Sequence, residues 1–212
     1  ARLELSVTER DYEALNAVLN SVIERIGLKG EITPFLNYGV GENGSLASYA
    51  PSTRILTVSI LGAQSRAKTR SDVDPTVDFE ETLSNLASLA AHELWHALFR
   101  LRVIDVQTLD DVINYVTTVN LTKEQLRAFG RDEDAKITWL ELIESNPGYS
   151  SGSYERWTGG ALDRDFINRL RREEAVAHFL EAEFKRIYDE EQRLEQLPFV
   201  RRIIEKFSKF LT

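Results

Sequence analysis

The chain has 212 residues, no cysteine and a formal net charge of −8. Without cysteine there is no disulfide framework and no thiolate ligand, so any zinc site must be built from His and carboxylate. No block of Lys and Arg marks a phosphate-binding face, so nucleic acid is not expected as a partner.

At 42% hydrophobic the chain can bury a substantial core, and it reads as a single domain over residues 1–212. No apolar run approaches the length of a membrane span, so no membrane partner is expected. The start, ARLELSVTERDY, lacks the basic-then-apolar pattern of a signal peptide. Together with the missing disulfides this favours the cytoplasm. Ala1 in place of Met leads to the expectation of a processed or trimmed N-terminus, with an earlier leader left open.

After a short extended start at Leu3 to Val7, Thr8 followed three residues later by Asp11 predicts the cap of a helix running to about Ile26. Its apolar stripe is Leu15, Val18, Leu19 and Ile23, and Gly27 and Gly30 end it. The next stretch is rich in β-branched and aromatic residues and is broken by Gly41 to Ser45 and by Pro51-Ser52. It predicts three antiparallel strands, near Ile32 to Val40, Leu46 to Tyr49 and Arg54 to Leu61.

A polar segment leads to Asp78, which with Glu81 makes a capping box for a long helix to about Leu101. Leu83, Leu86, Ala90, Trp95, Leu98 and Phe99 supply its apolar cover. The first part of the chain, residues 1–101, thus reads as a small antiparallel sheet packed on this helix. Residues 102–161 read as a helical insertion, with helices at Leu109 to Val116 after Thr108, at Thr122 to Phe129 with Gln125 completing a capping box, and at Asp132 to Ile143. A Gly-rich loop, GYSSGSYERWTGGALD, follows and is read as a lid or as a plain surface connection. Residues 162–212 then read as C-terminal helices, one from about Leu162 to Glu195 and a final amphipathic one with Val200, Ile203, Ile204 and Phe207.

The chemistry concentrates in His92-Glu93-Leu94-Trp95-His96. Residues four apart on a helix share a face one turn apart, so both imidazoles can reach one metal ion. In the H-E-x-x-H arrangement the two His hold zinc while the Glu, off the metal, takes a proton from the attacking water. Trp95 projects away from the His face and is expected in the core.

A catalytic zinc usually has three protein ligands, so another donor is needed. The place six residues after His96 holds Arg102 and the one three residues after it holds Phe99, which removes the metzincin pattern. The remaining donor-rich place is Glu173-Glu174-Ala175-Val176-Ala177-His178. Glu174 and His178 are again four apart and can present a carboxylate and an imidazole to one point. Glu174, His178 and, more remotely, Glu173 stay open as the third ligand. The same stretch is also what a solvated helix laced with i,i+4 ion pairs looks like.

Glu174-x-x-Ala177 followed by His178 resembles the Glu-x-x-Ala-Asp or Glu-x-x-Ala-Asn signature of several gluzincin metallopeptidases, including the ImmA/IrrE group. The resemblance implies a zincin-like α+β fold with a mainly helical C-terminal half, with Glu174 as zinc ligand and His178 in the place of the supporting Asp or Asn. GSLASYAPSTRILTVS is similar to the hairpin and edge strand before the zinc helix of many zincins. In that fold the edge strand pairs with bound peptide, here expected at Arg54 to Leu61.

The leading expectation is a Zn2+ metalloendopeptidase acting on extended segments of a peptide or protein substrate. Glu93 is the general base, and Tyr154, with Tyr149 and Arg156 beside it in sequence, is a candidate to steady the oxyanion. The alternative is a catalytically inactive zincin-like binding or structural protein. A di-metal carboxylate bundle is a third reading, since Glu93 and His96 form Glu-x-x-His, but Glu174 and His178 have one residue too many between them to repeat that motif.

Overall fold

A computed structural model of the chain describes residues 7–39, 45–65, 79–102 and 104–190. It is a mixed α+β protein, mostly helical, with one sheet of three strands. The expected strand before Val7, the turn at 41–44, the Asp78 cap and the final helix around Val200 lie outside the described residues. No helix among the described residues is long and apolar enough to cross a membrane. The chain divides into two compact units, Ala1–Val103 with Glu183–Thr212, and Ile104–Ala182. The second begins close to the expected insertion but continues beyond residue 161 into the long C-terminal helix.

In the first unit, α1 (Glu9–Arg25) opens with the expected capping box: the Thr8 hydroxyl accepts the Asp11 N–H while the Asp11 carboxylate accepts the Thr8 N–H. The Thr8 hydroxyl also donates to the Asp11 carboxylate, and this bond, with that from the Thr8 N–H, holds the Asp11 carboxyl below its ordinary pKa. Leu15, Leu19, Val22 and Ile23 form its buried face, as a period of 3.6 requires. Gly27, at φ 81°, takes the left-handed conformation that turns the chain out of the helix.

The strands are β1 (Thr33–Asn37), β2 (Ala47–Ala50) and β3 (Ile55–Ser59), in spatial order β1-β3-β2. Only β2 and β3 pair antiparallel, with Ser48 opposite Thr57; β1 lies parallel to β3 with Phe35 opposite Thr57. The all-antiparallel expectation is therefore corrected. Alternation of apolar residues fixes which face is buried, but it carries no information on the direction of the neighbour. A second correction follows: β3 is paired on both sides, so it is the centre of the sheet and its backbone is already occupied. The expected peptide-binding edge at Arg54 to Leu61 does not exist.

The predicted third strand also ends early. Ile60–Ser65 is a short helix, α2. Buried Ser59 starts it, its hydroxyl accepting the Gly62 N–H at 2.8 Å. A side chain at Gly62 would meet Leu46 at 3.0 Å, so the turn packs at glycine distance against the start of the hairpin.

Helix α3 (Phe79–Leu101) packs against α1, α2, β2 and β3, which gives the expected arrangement of sheet on helix. Leu83, Leu86, Ala90, Trp95 and Leu98 are buried as expected, but Phe99 is exposed, its ring only leaning on Trp95 at 6.5 Å. Leu94, Ala87 and Ala97 are buried as well. The polar side chain of Asn85, also buried, donates to the Ala63 carbonyl at 3.1 Å and accepts from Lys185 Nζ at 2.8 Å. Satisfied at both ends, it ties α2 and the last turns of the C-terminal helix to α3 without the cost of an unmet buried amide.

In the second unit, α4 (Val106–Thr118) is capped by Asp105, earlier than expected; Thr108 is the residue whose N–H the cap receives. Helix α5 (Lys123–Ala128) has the expected Thr122–Gln125 capping box. Helix α6 (Trp139–Glu144) starts at a Thr138–Glu141 box and not at Asp132, because residues 132–137 are spent on turns and an extended run. The Gly-rich stretch is not a loop: Pro147–Tyr149 forms a 3-10 turn and Ser151–Thr158 a helix, α7, capped by Ser150 and ended by left-handed Gly159. The last helix, α8 (Arg164–Glu190), contributes to the second unit up to Ala182 and to the first from Glu183. The second unit's core is aromatic: Trp139 meets Phe129 edge-on at 5.7 Å and Phe179 at 5.9 Å, and Tyr115 meets Phe179 at 5.0 Å.

Leu56 is 0% exposed on the covered face of β3, whereas Phe35 is 55% exposed. Truncating a buried Leu costs about 2–5 kcal/mol and an exposed residue within about 0.5 kcal/mol. Leu56→Ala is therefore expected to lower the urea midpoint strongly and Phe35→Ala hardly at all; comparable losses would contradict the assignment of faces.

Candidate metal centre

The structure places the sequence-predicted donors on two helices. On α3, the Nε2 atoms of His92 and His96 lie 3.4 Å apart, with their rings inclined at 63°. Both rings are half-buried, in a helix whose neighbouring positions Ala91, Leu94, Trp95 and Ala97 are buried. Helical spacing alone puts the two Cβ atoms on one face; the side-chain rotamers then bring the two nitrogens together. Zinc bound tetrahedrally at about 2.0–2.1 Å from each nitrogen holds the pair about 3.4 Å apart. The Nε2 separation thus matches that of two imidazoles on one zinc ion. Glu93 precedes Leu94 on the same helix and is half-buried.

On α8, Glu174 and His178 stand one turn apart, both half-buried, between the buried Ala175, Val176 and Ala177. His178 Nε2 lies 2.8 Å from the Tyr149 hydroxyl, and His178 Nδ1 lies 2.9 Å from Glu181 Oε2. The imidazole also stands edge-on to the Phe129 ring at 6.0 Å and to the Tyr149 ring at 5.8 Å. The Tyr149 hydroxyl and His178 Nε2 share a hydrogen bond whose direction follows the imidazole tautomer. Glu181 escaped the sequence reading. Its signal was present, an acid three residues beyond His178 on a helix, where i,i+3 side chains meet.

Tyr154 is buried on α7, and its ring lies 6.3 Å from that of Tyr149. Burial drives its phenol far above the ordinary value, the Glu174 carboxylate pushes it further, and Arg171 offsets part of the rise. Tyr154 therefore remains a protonated donor at any working pH. Glu174 acts on it more strongly than Glu173 does, which separates the two neighbouring carboxylates by position. Arg156 turns back within α7, Nη2 donating to Ser153 Oγ at 2.9 Å.

The His92 and His96 imidazoles on α3 are nitrogen donors of the kind a divalent cation such as zinc takes, and on α8 Glu174 and His178 offer an oxygen and a nitrogen donor. Comparison with known protein families, with curated proteins and with solved structures finds no match to this chain.

Tyr149→Phe removes the hydroxyl that His178 Nε2 meets. The expected result is a large change in the His178 Nε2 nitrogen chemical shift and a stability loss of about 1 kcal/mol, as for one partly buried hydrogen bond. An unchanged His178 shift would contradict the contact.

Proposed function

We propose that the chain is a zinc-dependent metalloendopeptidase of the gluzincin type, with His92, His96 and Glu174 as the protein ligands and Glu93 as general base. The observation that carries this reading is the 3.4 Å separation of the two Nε2 atoms in an H-E-x-x-H helix. Glu174 is favoured over His178 as third ligand because His178 Nε2 is already engaged with the Tyr149 hydroxyl at 2.8 Å. His178 then takes the supporting role that the resemblance gives to the Asp or Asn of the signature, and such supporting contacts orient ligands and tune the site.

Zinc held by these residues would lower the pKa of a bound water to about 7 and polarise a carbonyl oxygen. Glu93 takes the proton of the attacking water and returns it to the leaving amine, a single carboxylate serving both transfers. Tyr154 donates an O–H to the oxygen that becomes negative as the carbonyl is attacked. It suits this as a phenol that burial keeps protonated, whereas the Tyr149 hydroxyl is engaged with His178 Nε2.

The substrate is an extended segment, since a peptide already folded into a helix or a paired strand cannot offer its backbone to another strand. With β3 paired on both sides, the outer edge of β2 (Ala47–Ala50) takes its place in this role. β1 is poorer because Pro34 has no N–H to donate.

The test combines metal analysis with turnover of an unfolded protein mixture. The expected result is about one zinc per chain and cleavage that chelator abolishes. Glu93→Gln should keep the zinc but slow cleavage by about 10²- to 10⁴-fold, the usual contribution of a general base. Zinc bound at full occupancy with no cleavage by the wild-type protein would replace this reading with the inactive binding or structural protein. Loss of zinc in Glu93→Gln would contradict the ligand set.

A further inference from the structure

Within the second unit, α6, α7 and the first turns of α8 enclose a cleft of about 700 Å³, a size typical of small-molecule sites. Arg164, Arg171 and Arg172 line it from α8, together with Asn168. Offsets of four, seven and eight residues place these side chains on one helical face.

The arginines are not neutralised from within. Arg171 Nε donates to the Tyr149 carbonyl oxygen at 3.2 Å, which anchors its stem and leaves its two Nη groups directed elsewhere. Among the described residues Arg164 and Arg172 form no ion pair or hydrogen bond. This is not for want of acid. The chain carries a net −8, and Glu144 and Glu155 line the same cleft without pairing with any of the three guanidinium groups. Ile167, buried, supplies an apolar floor between the arginines.

We propose that this cleft binds a small organic oxyanion, a phosphate ester or a dicarboxylate, that also carries hydroxyl or ammonium donors. Guanidinium forks grip a planar carboxylate or a phosphate by paired N–H···O bonds, which a chloride ion cannot reproduce. Glu144, Glu155 and Ser151 accept the ligand's donors, so a bare anion binds more weakly than one bearing them. The inference is independent of zinc chemistry and of the peptidase reading.

The full chain is titrated with inorganic phosphate and, separately, with succinate, at constant ionic strength set by sodium chloride. Binding is followed through the Arg171 Nε–H resonance and by calorimetry. Saturable binding of phosphate alone assigns a phosphate head group, and of succinate alone a carboxylate one. Arg164→Ala and Arg172→Ala, at exposed positions, should each weaken binding about tenfold or more, the loss expected for one charge-assisted bond. Glu155→Gln removes a repelling carboxylate and should tighten phosphate or succinate binding several-fold, giving a variant with the opposite sign. Responses no greater than those to chloride, or equal affinity in all variants, would overturn the proposal.

Discussion

The metallopeptidase reading of this protein depends on two imidazole nitrogens being held 3.4 Å apart on one turn of α3. A helix surface supplies the spacing but not the rigidity; exposed His side chains sample several rotamers, and fixing them costs conformational entropy. Here that cost is offset by the helix itself. α3 is buried around most of its circumference, and the residues interleaved with the motif, Leu94, Trp95 and Ala97, sit in the core. The backbone under the His pair therefore cannot rotate without exposing Trp95. Asn85 extends the same logic one region earlier, pinning α3 to α2 through the Ala63 carbonyl and to the end of α8 through Lys185.

The donors on α8 are held by a different device. His178 is fixed by the Tyr149 hydroxyl on Nε2, by the nearby Glu181 carboxylate of its own helix and by the Phe129 ring. A half-buried imidazole beside a carboxylate is expensive to leave without hydrogen bonds, and the Tyr149 hydroxyl supplies one. The 3-10 turn and α7 exist because Ser150 caps a helix whose Tyr154 is buried. A stretch that composition reads as loop thus becomes the part that orients the hydroxyls around Glu174.

What could be read in the sequence follows the range of each physical signal. Capping boxes are local and complete in four residues, so Thr8–Asp11 and Thr122–Gln125 were legible and are present. The H-E-x-x-H pair and the buried place of Trp95 were legible for the same reason, since both rest on helical phase. Strand direction was not: β1 and β3 show the same alternation whether parallel or antiparallel, and the order β1-β3-β2 is decided by packing on α3 and α1. α2 was hidden because Ile60 and Leu61 prolong the apolar run of β3, while the deciding features, the Ser59 hydroxyl and the tight approach at Gly62, act through contacts with residues elsewhere. In the second unit the arginine stripe was overlooked inside a charged helix, because charge counts do not reveal which guanidinium groups form no ion pair with the carboxylates around them.

The most direct test of the central claim is X-ray absorption at the zinc edge on protein loaded with one equivalent of zinc. The account predicts nitrogen and oxygen ligands at about 2.0–2.1 Å with the outer-shell scattering of two imidazoles. A spectrum with no imidazole scattering, or with three imidazoles, would contradict it.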